Sequence, residues 1–287
     1  MREIRNKYIF ASLRLCVFAL IFFVPITAQK VAILTPDKAE TSREFAERLE
    51  ARLAEKFRFL DEAMSEAAFG SAKADHPFNL TTTASIAIGT AIGCDYFILV
   101  RSATLRRSSS QRHEYYESYA GIYVVSSRTG RLVIWRLLRF EESKAQAAQN
   151  LLNDASGGLA QEIETKLKLT TKNELAEVAP PAMEEPPDDA SPAANNFRAP
   201  IPYRRIKPEY TSDAFLYDIV TTVDIVVDLD RTGAILRTEI VRWAGYGLDE
   251  SVEQAVRTMK WRPAERNGKQ LPMRFLLRYN FKKIEPK

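Results

Sequence analysis

His76, His113 and Cys94 are the only histidines and cysteine between residue 29 and the end of the 287-residue chain. They are therefore its whole supply there of the side chains that most often carry nucleophilic, redox or zinc chemistry. A catalytic zinc needs several converging ligands and a hydrolytic triad needs a base beside its nucleophile; two scattered histidines build neither. His113 falls in the polar run Arg106-Arg-Ser-Ser-Ser-Gln-Arg-His-Glu114, which reads as a mobile hairpin tip or as a basic contact for an anionic surface. Cys94 sits between a helical and a strand pattern, the setting of a buried and inert thiol. Asp224, Asp228 and Asp230 recur at even spacing and could point to calcium, but no EF-hand ligand spacing accompanies them, so they read as a solvated polar face. No catalytic, cofactor-binding or metal-ligating residue is expected, and no enzyme activity.

The remaining chemistry is that of the main chain. Residues 220–228 are rich in β-branched side chains, Leu229-Asp-Arg-Thr-Gly233 offers a turn, and residues 234–243 form a second apolar run, together a β-hairpin. Leu248, Val252, Ala255, Val256 and Met259 make the stripe of an amphipathic helix with Asp249, Glu250 and Glu253 in its first turns. Pro263 ends that run, and residues 273–281 read as a third strand. A helical crossover lets the third strand pair antiparallel only beside the first, which predicts a three-stranded antiparallel sheet with the first strand in the middle. The third strand is then an open edge. Arg274 and Arg278 on it either guard against unwanted sheet pairing or flank a site where an extended peptide adds a strand. If the Leu277 N–H points outward, proline there abolishes capture, and proline at Leu276 or Arg278 damages folding instead.

Several motifs of this region occur in one order: Lys207-Pro-Glu-Tyr210, Asp230-Arg-Thr-Gly233, Leu248-Asp-Glu-Ser-Val-Glu-Gln-Ala-Val256, Trp261-Arg-Pro263 and Asn267-Gly268-Lys269. Together they resemble the C-terminal domain of the TonB family of periplasmic energy transducers over residues 200–284. The resemblance implies a ββαβ module that grips extended peptide by strand addition and performs no covalent chemistry. Partner contacts are expected from Pro208 and Tyr210 of the preceding arm and from Arg274, Leu276, Arg278 and Asn280 of the edge. The partner is an envelope protein or peptide, an outer-membrane receptor being one form, and a second copy of the chain paired edge to edge is an alternative; nucleic acid is not expected. The chain departs from the transducers at the membrane helix, where their serine and histidine couple to an ExbB and ExbD motor. Here Ser12 is followed at that spacing by Cys16, and no histidine precedes His76.

Upstream, residues 30–168 read as an α/β domain ordered βα, α, βββ, α. Val31-Ala-Ile-Leu34 leads into a helix over 42–57, a helix over 86–92 precedes a strand over 94–100, a hairpin spans 119–140, and a helix over 145–167 closes the domain. Val31-Ala-Ile-Leu34, Phe59-Leu-Asp-Glu62, Ala91-Ile-Gly-Cys-Asp-Tyr-Phe-Ile98 and Arg128-Thr-Gly-Arg131 make this domain similar to the TolB and CsgG-like envelope proteins, which implies an assembly and docking module. Residues 169–199 mix proline with acid and read as a disordered spacer, leaving two independently folding halves. Arg2, Arg5, Lys7 and Arg14 precede an apolar stretch over 15–27, and Ile26-Thr-Ala28 resembles a cleavage site, so residues 1–28 read as a signal peptide or a retained membrane anchor. Arg14 stands where a lipoprotein signal would place a small residue. The formal charge of +4 is small for the length and gives no sign of a polyanionic partner. The expectation is an exported, periplasmic, peptide-binding envelope protein; the alternative is a single-pass inner-membrane transducer serving outer-membrane transport.

Overall fold

The computed structural model of the chain describes residues 28–188 and 190–283. The expected signal peptide or anchor lies, but for Ala28, outside the described residues. Strand β1 (Lys30–Leu34) leads into helix α1 (Glu40–Leu53), whose Phe45, Leu49 and Leu53 are buried, and a two-residue strand β2 (Arg58–Phe59) follows. Helices α2 (Glu62–Ser71) and α3 (Thr82–Ile92) come next, their first turns capped by Asp61 and Thr81, which accept the Met64 and Ala84 N–H groups. Strands β3 (Tyr96–Arg107), β4 (Tyr115–Ser126) and β5 (Leu132–Glu142) form a meander, followed by α4 (Ala145–Asp154) and α5 (Ser156–Ala176). The sheet order is β2-β1-β3-β4-β5, with β1 parallel to both neighbours and the rest antiparallel. The single closing helix expected from the sequence is two, because Ser156-Gly157-Gly158 are poor helix interior residues and Ser156 turns its hydroxyl back to the Asn153 carbonyl. Helix α5 also continues into the segment expected to be spacer.

The C-terminal module begins with β6 (Phe197–Arg198), β7 (Ile201–Pro202) and α6 (Ser212–Leu216). Its main elements are β8 (Thr221–Leu229), β9 (Ile235–Arg242) and α7 (Leu248–Arg257), then the short strands β10 (Trp261–Arg262), β11 (Ala264–Arg266) and β12 (Lys269–Leu271), and finally β13 (Met273–Phe281). The sheet order is β13-β8-β9, all antiparallel, with β8 in the middle. Gly233 closes the β8–β9 turn at φ 85°, where a Cβ would lie 2.3 Å from the Trp261 carbonyl oxygen, so only glycine lets the turn meet β10. Trp261 is buried edge-on against Phe275, as a cover between helix end and sheet should be.

The two halves share a core. Strands β1, β3 and β4 bury both faces: Val31, Ile98, Val100, Ile122 and Val124 meet α1, α4 and α5, while Leu34, Phe97, Leu99, Tyr123 and Val125 join one cluster with Trp243, Tyr246, Leu248 and Val223 of the module. Trp243 is 1% exposed, and its indole N–H donates to the Gly130 carbonyl at 3.2 Å. The Asn79 amide donates to the Thr222 and Trp243 carbonyls, and Tyr217 donates to Glu117 at 2.7 Å. Gly245 lies so close to Trp135 that a Cβ would sit 2.4 Å from its ring. The expected independence of the halves therefore gives way to a two-layer packing around a sheet that needs cover on both sides.

A second correction concerns the aspartates. Asp224 and Asp228 are 3% and 4% exposed, not solvated. Arg278, opposite Asp224 in register, donates to it from Nε and Nη2 at 2.7 and 2.9 Å, with Arg242 adding a third bond; Arg274 does the same for Asp228 at 2.7 and 2.9 Å. These cross-strand forks pin the register of β13 on β8. Asp230 instead closes the turn, accepting the Thr232 and Ala234 N–H groups. Burial opposes ionisation of Asp224, but the hydrogen-bonded guanidinium groups of Arg278 and Arg242 outweigh it and hold the carboxyl below its ordinary value.

Two outcomes follow from this packing. Trp243→Ala should cost about 3 to 5 kcal/mol, and chemical denaturation of the native protein should show β3–β4 and β8–β13 unfolding in one transition by hydrogen exchange. Separate transitions for the two sheets would refute the shared core. A carboxyl depressed in the folded state adds stability that is present above its unfolded value near 4 and is lost as pH falls through the folded value. Asp224→Asn should therefore cost about 1 to 3 kcal/mol at neutral pH and make the loss of stability below about pH 4 shallower, as read from urea midpoints across pH.

Candidate peptide-docking edge

Strand β13 lies at one margin of the module's sheet, and its main-chain phase can be read from two bonds. The Arg274 N–H donates away from β8 to the Glu184 carbonyl at 2.8 Å, and the Arg278 carbonyl accepts the Arg205 guanidinium at 2.6 Å, also on the outer side. The N–H and C=O of one strand residue point the same way and alternate along the strand. Arg274, Leu276, Arg278 and Asn280 therefore direct their main chain outward, and Met273, Phe275, Leu277, Tyr279 and Phe281 direct theirs at β8. The condition placed on Leu277 is therefore not met: the outward N–H belongs to Leu276 and not to Leu277, and the proline tests exchange places.

The same alternation sorts the side chains. Met273, Leu277, Tyr279 and Phe281 are buried against the module's interior, whereas Arg274, Leu276, Arg278 and Asn280 stand on the opposite face. Leu276 is 50% exposed, between Arg274 and Arg278. Hydrogen bonding to Asp228 and Asp224 raises both guanidinium groups above their ordinary value, so these arginines are spent first on the sheet itself. Asn280 accepts the Thr222 hydroxyl at 2.9 Å. The arm residues are not brought to this face. Pro208 is buried, and Tyr210 donates to the Ala214 and Ile219 carbonyls and stacks on Phe281 at 6.3 Å, fastening the arm to α6.

Other residues do reach the edge. Arg205 lies 4.8 Å over the Tyr279 ring, and with Ile206, Lys207, Arg278 and Asn280 it lines a cleft of about 460 Å³ beside the strand. At the other end, Arg266 of β11 lies over the Phe197 ring and pairs with Glu184 of the proline and acid segment. That segment is thus held at two points, for Glu177 also takes both Nη atoms of Arg131, at 2.7 and 2.9 Å. The basic run Arg204-Arg-Ile-Lys207, next to a strand-forming stretch, is the sequence signal that could have pointed to the cleft. Nothing local marks Glu184 among its acidic neighbours.

Among the described residues, no group of three or more His, Cys, Asp or Glu is placed to hold a metal ion. Cys94 is buried, which pushes its thiol up despite a contact with Ser127 at 3.3 Å. His113 lies in the exposed β3–β4 hairpin tip. No helix of the described residues is long and apolar enough to cross a membrane.

Comparison with known proteins agrees with this module. No curated protein matches the sequence. Among solved structures, the solution structure of the Pseudomonas aeruginosa TonB C-terminal domain is 20% identical, covering 31% of this chain and 90% of that one at a TM-score of 0.26. A Neisseria meningitidis lipoprotein is 13% identical over 48% of this chain and 99% of its own, at 0.35, and the Salmonella enterica LpoB C-terminal domain is 15% identical over 41% and 86%, at 0.26. The family model described as Gram-negative bacterial TonB protein C-terminal matches residues 206–282, so the mixed α and β chain carries a TonB-like C-terminal module.

Proposed function

We propose that this is an exported cell-envelope protein that captures an extended segment of a protein partner by adding it as a strand to β13, without covalent chemistry. The observation that carries the reading is the outward main chain of Arg274, Leu276, Arg278 and Asn280 on a strand whose opposite margin is fully paired to β8, in a module that matches the TonB C-terminal family. Main-chain hydrogen bonds supply affinity in strand addition, and side chains of alternate residues set specificity. Leu276, with Arg278 and Asn280 beyond it, is the stretch that a partner strand meets; Pro208 and Tyr210 contribute by holding the arm in place. The amino-terminal domain acts as an envelope docking domain of the TolB and CsgG-like kind, and its shared core with the module presents β13 in a fixed orientation.

The alternation of β13 supplies the test. Leu276→Pro deletes an outward N–H on an edge strand and should leave the melting temperature within a few degrees while abolishing capture of envelope partners in pull-downs. Leu277→Pro deletes an N–H bonded to β8 and should unfold the module. A folded Leu276→Pro variant that keeps the wild-type partner set would rule out strand addition at this edge.

A further inference from the structure

The chain's own acidic segment already makes a strand-like contact on β13. The Glu184 carbonyl takes the outward Arg274 N–H at 2.8 Å, and the Glu184 carboxylate lies on Nη2 of Arg266. Arg266 is supported from its other side by Phe197, 5.4 Å away, and its Nε–H is buried with no acceptor. The Nε and Nη2 atoms of a guanidinium form the fork that takes a carboxylate through two parallel bonds, and in this same sheet Arg274 and Arg278 use that fork on Asp228 and Asp224. Arg266 has only half of it occupied. Further along the edge the charge is of one sign: Arg205, Lys207 and Arg278 line the cleft, and the carboxylates of Asp224 and Asp228 are already consumed by arginines.

We infer that the segment accepted by this edge is an acidic extended peptide, whose carboxylate takes both Nε and Nη2 of Arg266, and that Glu184 is its intramolecular stand-in, displaced when the partner binds. This rests on the strand-addition reading. The free protein thereby keeps the first outward N–H of its edge covered, and a partner without an acid competes poorly with a tethered one.

The test uses the full chain and three labelled peptides, Val-Thr-Glu-Val-Thr-Val and its counterparts with Gln or Lys in place of Glu, titrated by fluorescence anisotropy. The Glu peptide should bind wild type about tenfold tighter than the Gln peptide, the order expected of one added charge-assisted hydrogen bond. Glu184→Gln should tighten the Glu peptide several-fold by freeing Arg266. Arg266→Gln should erase the preference for Glu and, by releasing Glu184 as well, let the Gln peptide bind no more weakly than it binds wild type; a preference for Glu that survives Arg266→Gln would overturn the role of Arg266. Equal affinities of the three peptides for wild type, with binding still abolished by Leu276→Pro, would overturn the acidic preference and leave strand addition standing. No effect of Glu184→Gln would overturn the stand-in role. Failure of every peptide to bind any variant removes strand addition and this inference with it.

Discussion

Strands β1, β3 and β4 cannot stand with one face in water, because their apolar side chains point both ways: Val31 and Ile33 against Ala32 and Leu34, Ile98 and Val100 against Phe97 and Leu99, Ile122 and Val124 against Tyr123 and Val125. One face is covered by α1, α4 and α5, which follow locally in the chain. The other has α2 and α3 over part of it and takes the rest of its cover from Trp243, Tyr246 and the hydrophobic side of the module. Leaving that second face open would expose a contiguous apolar patch of the kind that drives aggregation. The module's position, and hence the direction in which β13 faces, follows from this demand for cover and not from the connecting segment.

Strand β13 serves two roles that its two-residue period keeps apart. Odd-numbered residues bond to β8 and fill the interior; even-numbered residues present main chain outward and side chains to the other face. The arginine forks on Asp224 and Asp228 reconcile the roles. They tie the even-numbered side chains back to β8, so an edge that is open along its backbone is nevertheless held in one register. Without such ties, a strand with a free margin is prone to slip or to pair with another copy of itself.

The elements of the module were legible because each had a strong local signal: β-branched runs for β8 and β9, the apolar stripe of α7 with acid in its first turn, and turn residues between them. Their order also fixed β8 as the central strand. The burial of Asp224 and Asp228 was not legible from their own spacing, since alternate carboxylates usually mark a wet face. The signal lay at a distance, in the equal four-residue separation of Arg274 and Arg278 on a strand expected to pair with theirs. The shared core was missed for a related reason. The proline and acid segment reads as a spacer by composition, while what spoke against independence was the apolar run over 119–125 in β4 and the aromatic loop Trp243-Ala-Gly-Tyr246, which demand a partner surface that no local pattern names. The expected edge residues Arg274, Leu276, Arg278 and Asn280 all carry outward main chain, whereas the outward N–H supposed at Leu277 lies one residue away, because alternation fixes which residues share a side but not which side faces out.

The connecting segment is anchored at its start as well as at the edge. Glu177 bridges to Arg131, at the β4–β5 turn, and Arg131 and Arg237 both reach Glu239 on β9, so the segment leaves α5 already fastened across the boundary between the halves. Glu177 is held ionised below its ordinary value, chiefly by its hydrogen bonds with Arg131. From there only a few residues separate it from Glu184 on Arg266. A tether this short keeps the Glu184 carboxylate near its site at high effective concentration, so an incoming strand must exceed it in the number of bonds made and not merely match it. Using both arms of Arg266 and the outward groups beyond Arg274 is the way a partner can do so. Displacement of Glu184 would leave the Glu177 anchor and the shared core untouched, so the proposed capture at β13 requires no separation of the two halves.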